Sequence, residues 1–528
     1  MPQLTRRQLL GMGLAGASLA GCSRQASAYF GRLDPPKESI LRIGNASEPT
    51  SLDPHKVGGV IGELHLSIAL FDGLTEYHPR TLEPLPAIAE RWYPEDGARV
   101  WMFHLRPGVV WSDGKPCTAE DFVYSWRRVV DPETVCPYAN LLYYVRNGQR
   151  VNEGKLPTAQ LGVQAVDPLT LRIEMEEPTV YFPNLTSFFI FRPVPRQSIA
   201  AYKERWARPG SMVSNGAFRL VEHVPYHQVV MERSQTYWDR KHVRLDKLYF
   251  LPITDFSQNI NLYQAGEMDV MVGGALPRPL LSELRKHRDY HVDGKFITYY
   301  LTFNCKREPF NDPQLRQALS LSINRRDLAV RFLRGDGEPA SSFVPPGIPG
   351  YRSPALQTQA VPDLAGLPPL TLHSMTREPD RTVTEVLQSM WSERGIRVEL
   401  QSEESQTFLA RLRRHDFGLA VARWGGDYLD PTTFLNLNNG PNPQNYSDWD
   451  DPEYRAQMRR AAVEADAARR YRLLAAAEAR LLEQTPITPL FHTGLQYLRK
   501  PWVNGWEPNL QDLHPLKYVS VDQTWQPV

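Results

Sequence analysis

At 528 residues the chain is longer than one hydrophobic core usually serves, so two or three packed lobes are expected. Sixty Lys and Arg balance 59 Asp and Glu, and a formal charge of +1 argues against nucleic acid as a main partner. With 42% hydrophobic and 23% charged residues it reads as an ordinary globular protein, and 12 tryptophans and 23 tyrosines offer broad aromatic surface for a cleft or a large core.

The amino terminus, TRRQLLGMGLAGASLAGC, sets Arg6 and Arg7 before a short apolar run that ends in LAGC at Cys22. That order is an export signal, and the run is too short for a membrane-spanning helix. The paired arginines resemble a twin-arginine signal. LAGC resembles a lipobox, in which Cys22 is lipidated and begins the mature chain. Residues 1–22 are therefore expected to be a signal and 23–38 a polar tether. The mature protein is expected in the periplasm or at the cell surface, held to the membrane through lipid alone. Gly11, Gly13 and Gly16 match G-x-G-x-x-G by accident, since no strand precedes them. After Cys22 only Cys117, Cys136 and Cys305 remain, with no C-x-x-C and no H-E-x-x-H. No disulfide framework, structural metal or cofactor is expected, and free thiols are the better reading.

Along the chain, ILRIGNA (40–46) reads as a strand and SEPTSLDPHK as a turn-rich loop. RVWMFHLRPGVVWSDGKP (99–116) alternates well enough for a hairpin. TAEDFVYSWRRVVDP reads as a helix capped by Thr118 with Asp121, with Phe122 and Trp126 on one face and Pro132 as its stop. LTLRIEME (169–176) is another alternating strand. Trp111, Trp126 and Trp391 sit at core spacing. Asn311 or Asp312 caps a further helix with Pro313 in its first turn. From 369 the pattern is strand, helix, Gly395, strand, helix, strand, which predicts a parallel sheet covered by helices. RRAAVEADAARRYRLLAAAEARLLE is expected to be a pair of packed surface helices.

The last of those strands, FGLAVA, runs into RWGGDYLDP. Ligands in such sheets sit beyond the carboxyl ends of the strands, where Asp427 stands. A helix cap, a turn or a satisfied buried Asp would each explain this carboxylate, and taken alone the turn is the simplest. The alternative is a ligand ammonium, with Gly425 and Gly426 allowing close approach and Trp424 and Tyr428 as walls. The neighbouring strand could then pair with an extended peptide.

Over nearly all of its mature length the chain resembles the family of periplasmic oligopeptide-binding receptors of ABC-type importers, the family 5 extracellular solute-binding proteins. The matching stretches include SLDPHK (51–56), WSDGKPCTAEDFVYSWRRVVDPET (111–134), CPYANLLYY (136–144), NGAFRL, FNDPQLRQAL and KPWVNGW (500–506). The resemblance implies an α/β, three-lobed periplasmic-binding-protein-like fold of class II type with an extra lobe, enclosing its ligand. It divides the chain into lobe I (39–70, 198–296 and 502–528), lobe II (71–197) and lobe III (297–501). It implies an oligopeptide ligand, an ABC permease partner and a monomer without enzymatic activity. The family's carboxylate for the peptide amino group falls on Asp427 and its cleft tyrosine on Tyr138. Its strand segments that pair with peptide backbone fall on Gly58-Gly59-Val60 and on Arg423-Trp424-Gly425.

There are departures. A Glu that the family's relatives carry is Gly58 here, and a cysteine pair falls on Ile297 and Gly425. The basic residues that meet the peptide carboxyl end do not align one for one. Arg423 sits two residues from the family's arginine, with Arg334, Arg377, Arg381 and Arg413 as near candidates. Loose tolerance of peptide length and little preference for Lys-rich peptides are therefore expected. Sister receptors carry murein peptides, glutathione, haem or nickel, which are the alternative solutes. A hydrolase pairing Asp427 with Asp430 or Asp448 is the enzymatic alternative.

Overall fold

The computed structural model describes residues 28–527 apart from 46, 59–60, 273–275, 277, 334–336, 357–363 and 365. Arg6, Arg7, Cys22, Gly59, Val60 and Arg334 thus lie outside the described residues. The chain enters through β1 (Ile40–Gly44) and α1 (Ile61–Leu70). It then builds a four-stranded antiparallel sheet from β2 (Ala89–Glu95), β3 (Val100–Leu105), β4 (Val163–Asp167) and β5 (Thr170–Glu174), in the order β2-β3-β5-β4. Helix α2 (Ala119–Val130) packs on it. Its start is fixed as the sequence suggests, with the Thr118 N–H donating to Asp121 Oδ2 at 2.8 Å. Phe122, Trp126 and Val129 are fully buried.

The hairpin expected over 99–116 does not form. β3 pairs instead with β2 and β5, and the 109–116 stretch closes on itself through a bridge between Val110 and Pro116, with Ser112 tied to Ser214. Alternation marks a strand but carries no information on its partner, which here lies some 70 residues downstream. Trp111, Trp126 and Trp391 are core residues, and Cys117, Cys136 and Cys305 are free thiols.

The rest of the chain folds around one eleven-stranded sheet. After β6 (Phe218–Val224), β7 (Gln228–Arg233) and β8 (Lys247–Leu251) come α3 (Phe256–Ala265), β9 (Val270–Met271), α4 (Arg278–Leu284) and the 14-residue β10 (Tyr290–Phe303). Helix α5 (Pro313–Leu321), capped by the Asp312 carboxylate, leads to β11 (Leu370–Met375), α6 (Asp380–Ser392), β12 (Val398–Glu403), α7 (Ser405–Arg413) and β13 (Leu419–Gly425). Helices α8 (Pro452–Val463) and α9 (Ala467–Gln484) precede the 13-residue β14 (Ile487–Arg499).

The order is β12-β11-β13-β10-β14-β9-β1-β8-β7-β6, with the short strand Glu338–Pro339 also on β14. β11 runs parallel to both β12 and β13, as the alternation from 369 onward predicts. The long antiparallel pair β10 and β14 connects the two halves of the sheet, and its register shifts between Asp293 and Ile297. One core joins the small sheet to the β1 side, while separate clusters pack α5 and α6 on β11–β13 and α8 and α9 beneath the loop after β13. The result is a lobed α/β protein.

Candidate functional site

β13 is buried through Ala422 and then surfaces at Arg423. Its pairing with β11 covers only Leu419 and Ala420, whereas its pairing with β10 runs to Gly425. One edge of Arg423-Trp424-Gly425 is therefore not covered by β11. Ile297 faces Gly425 across the β10 ladder, at the two positions where the family resemblance puts cysteines. A Cβ on Gly425 would make an ordinary 3.5 Å contact with Ile297, so packing does not demand glycine there. Gly426 is different. Its Cβ would lie 2.0 Å from the Phe296 ring, and its N–H donates to the Phe296 carbonyl at 2.9 Å.

The backbone beyond is held from two further sides. Gln511 Nε2 donates to the Gly426 carbonyl at 2.8 Å, and the Asp427 N–H donates to Thr433 Oγ1 at 3.0 Å. The Asp427 carboxyl group, by contrast, meets no hydrogen-bond or ion-pair partner among the described residues. It is half-buried although it lies deep in the protein, which is the situation of a group lining a cleft. Desolvation without a compensating charge pushes its pKa up to about 7.

Asp430 is saturated. Arg470 Nη1 and Nη2 reach its two oxygens at 2.6 and 2.8 Å, and Thr432 donates through N–H at 3.0 Å and Oγ1 at 2.7 Å. Asp448 is exposed. Asp430, bound by Arg470 and Thr432, is therefore not a free partner for Asp427 in the manner of a paired-carboxylate hydrolase.

Tyr138, on the small-sheet side, lies within electrostatic reach of Asp427. It is half-buried and packed edge-on against Phe188 and Phe189 at 5.6 and 5.4 Å. Burial raises its phenol pKa first, and the negative charges of Asp427 and Glu63 add to the effect. Gly58 is not in a strand. Its N–H already donates to Glu63 Oε2 at 2.8 Å, while Glu63 Oε1 accepts from the N–H and hydroxyl of Thr50, both at 2.6 Å. Glu63, buried in the first turn of α1, thus places a carboxylate beside Gly58. Glu63 is not among the candidates singled out from the sequence, although an acid four residues past the Gly58-Gly59 pair was a usable signal. Trp424 is half-buried, and its indole N–H meets no acceptor among the described residues.

Farther along β13, Arg423 Nη1 donates to the Tyr299 hydroxyl at 3.3 Å. Arg377, just past β11, lies 3.8 Å from Asp380. Its pKa is lowered first by burial and then by the charge of Arg423, so the two guanidiniums lie within electrostatic reach of each other. Arg381 pairs instead with Glu385 at 2.9 Å, and Arg413 is exposed. Arg423 precedes Asp427 by four residues, about 13 Å of extended backbone.

The 138–184 region and the loop after Asp427 also touch directly. Tyr144 and Tyr428 share a hydrogen bond at 3.1 Å, and Asn436 Nδ2 donates to the Tyr144 hydroxyl at 3.1 Å. Asn184 Nδ2 donates to the Leu429 carbonyl at 2.9 Å, and the Tyr181 and Tyr428 rings stack at 5.8 Å. Two surface hollows of about 370 and 400 Å³ lie elsewhere, beside Arg196 and beside Tyr249, and Asp427 lines neither. Among the described residues there is no metal-ligating cluster and no helix long and apolar enough to cross a membrane.

A family profile described as "Bacterial extracellular solute-binding proteins, family 5 Middle" matches residues 83–446. The chain is 34% identical over 530 residues to the periplasmic oligopeptide-binding protein OppA of Escherichia coli (strain K12), covering 96% of each chain. Its fold is similar to the unliganded open form of the periplasmic murein tripeptide binding protein MppA, with a TM-score of 0.81, 32% identity, and 93% and 98% of the two chains covered. It is also similar to Haemophilus influenzae OppA in complex with the peptide RPPGFSPFR, with a TM-score of 0.76, 30% identity, and 93% and 100% covered. The chain belongs to the bacterial extracellular solute-binding proteins, family 5.

Proposed function

We propose that this protein captures oligopeptides in an extended conformation and delivers them to an ABC-type import permease, binding its ligand without turning it over. The observation that carries the reading is the contrast between the fixed backbone at Asp427 and its unpartnered, desolvated carboxyl group. A peptide α-ammonium satisfies such a group as a paired, hydrogen-bonded ion. Tyr138 forms a wall of the cleft, and the edge of Arg423-Trp424-Gly425 left uncovered by β11 takes main-chain hydrogen bonds as an added strand. In the second strand-pairing stretch the resemblance implies, Gly58-Gly59-Val60, the Gly58 N–H is held by Glu63 and is not offered to the peptide.

Arg423 and Arg377 receive the peptide carboxylate. Their long stems blur the length at which the carboxylate is met, so several peptide lengths are accepted. Lobe I (39–70, 198–296, 502–528), lobe II (71–197) and lobe III (297–501) close around the ligand as a monomer. Arg6 and Arg7 direct export, and Cys22 carries the lipid that keeps the mature protein at the membrane.

Murein peptides are the second reading, favoured by the likeness to MppA. Native mass spectrometry of protein purified without denaturation separates the two. Retained linear peptides of several masses support the proposal. A single retained murein peptide moves the second reading forward, and a retained non-peptide solute overturns both.

A further inference from the structure

The first described residues are bound to the fold through contacts that the ligand cleft does not use. The Ala28 carbonyl accepts from the Arg288 N–H at 2.8 Å, and the Phe30 N–H donates to both oxygens of Asp289 at 3.0 Å. Lys500 Nζ donates to the carbonyls of Phe30 and Arg32 at 2.9 and 3.0 Å, with its ammonium 3.9 Å from the Tyr263 ring centroid. Gly31, at φ +85°, passes so near Gln264 that a Cβ would lie 2.5 Å from its Cα. The Phe30 ring packs on Tyr263 and His287, and Tyr29 packs edge-on against Trp525.

Asp289 and Lys500 are both buried. Burying a lysine and a carboxylate is costly unless each is well satisfied, and here much of their hydrogen bonding goes to this five-residue strap, Ala28 to Arg32. The strap is therefore a built clamp.

The clamp fixes the position of Ala28 on the fold. Ala28 lies against the run Arg285-Lys286-His287-Arg288, whose Arg285, Lys286 and Arg288 are exposed. Glu283 is the only acidic side chain in α4, and it pairs with Lys286 at 2.6 Å. Leu280 of the same helix is also exposed. Only residues 23–27 separate Ala28 from Cys22, and they include Arg24. Six extended steps span about 20 Å at most. A lipid on Cys22 therefore confines this basic face to within a few Debye lengths of the headgroups.

We infer that the face bearing Arg285, Lys286 and Arg288 docks on anionic phospholipid headgroups, with the clamped strap holding it toward the bilayer. The inference rests on Cys22 being the lipid anchor, but its test does not. The Cys22→Ala protein, which has no lipid, is sedimented with vesicles of phosphatidylglycerol mixed into phosphatidylcholine and with vesicles of phosphatidylcholine alone. The expected result is binding to the anionic vesicles at 50 mM salt that is lost at 500 mM, with none to the neutral ones. The triple variant Arg285→Glu, Lys286→Glu, Arg288→Glu, checked for unchanged peptide binding, is expected to lose at least fivefold in affinity for the anionic vesicles. No binding at low salt, equal binding to both vesicles, or an unaffected triple variant overturns the inference. Failure of the anchor reads out separately, as Cys22→Ala protein that still pellets with cell membranes after a salt wash.

Discussion

Asp427 and Asp430 stand three residues apart in one loop, and the protein treats them in opposite ways. Asp430 is buried and takes four hydrogen bonds, two of them from Arg470, whose guanidinium also lies 4.8 Å from the Tyr181 ring. Asp427 has its backbone fixed by Phe296, Gln511 and Thr433 through neighbouring atoms, while its carboxyl group is left to titrate near neutrality. The difference separates structure from function. A carboxylate paired inside the fold holds the loop together, whereas one kept rigid, desolvated and unpaired is poised for a cation from outside.

The largest effect should come from breaking the structural member. Asp430→Ala leaves the Arg470 guanidinium buried without its counter-ion and should cost about 3–5 kcal/mol of stability in denaturant unfolding. Asp427→Ala should cost little or no stability. If both variants unfold alike, the distinction between the two aspartates fails.

Binding should reverse the order of importance. Asp427→Ala should weaken peptides with a free amino terminus by about 2–5 kcal/mol, measured by calorimetry on folded protein. Arg423→Ala should weaken the same peptides less, by roughly 1–2 kcal/mol, because Arg377 remains beside it. A larger loss at Arg423 than at Asp427 would move the principal anchor to the other end of the site.

The comparison also has a pH signature. A carboxyl whose folded pKa is raised contributes its stability fully below the unfolded value near 4 and loses it as pH climbs toward about 7. Glu478 and Asp512, also pushed up to about 7 by burial, act in the same direction. The unliganded protein should therefore lose stability between pH 4 and 7, and Asp427→Asn should flatten that slope by one group. A bound ammonium draws the Asp427 proton off. Below pH 7 affinity should fall up to tenfold per unit, about 1.4 kcal/mol, with a proton released on binding. Calorimetry in buffers of different ionisation enthalpy counts that proton, and a count of zero at pH 6 contradicts the assignment.

The smallest expected effect is at the contact between the two sides of the site. Tyr144→Phe removes the hydroxyl that meets Tyr428 and Asn436 and should weaken peptide binding by about 0.5–1.5 kcal/mol, seen mainly as faster dissociation.

These contrasts also mark what the sequence could and could not reveal. The run from Leu370 to Gly425 was legible because each strand and helix there is set by local periodicity and punctuated by a positive-φ Gly395. Helix α2 was legible because Thr118 and Asp121 are three residues apart. The pairing of β3 was not, because its partner β5 is distant in the chain. Asp427 and Asp430 look alike in RWGGDYLDP, because the arginine that separates their roles arrives from α9, 40 residues later. Gly58 looked like an open backbone position, and only the fold shows Glu63 holding it. Arg423 and Arg377 were separate candidates in the sequence, and only the fold sets them within electrostatic reach of each other.

The most direct test compares one peptide in two forms, with a free and with an acetylated amino terminus, titrated by calorimetry into the unmodified protein and into Asp427→Ala. The account predicts tight binding only for the free amine on the unmodified protein, with acetylation and Asp427→Ala each removing a similar share and not adding when combined. Equal affinity for the two forms on the unmodified protein would contradict the claim that Asp427 holds the peptide ammonium.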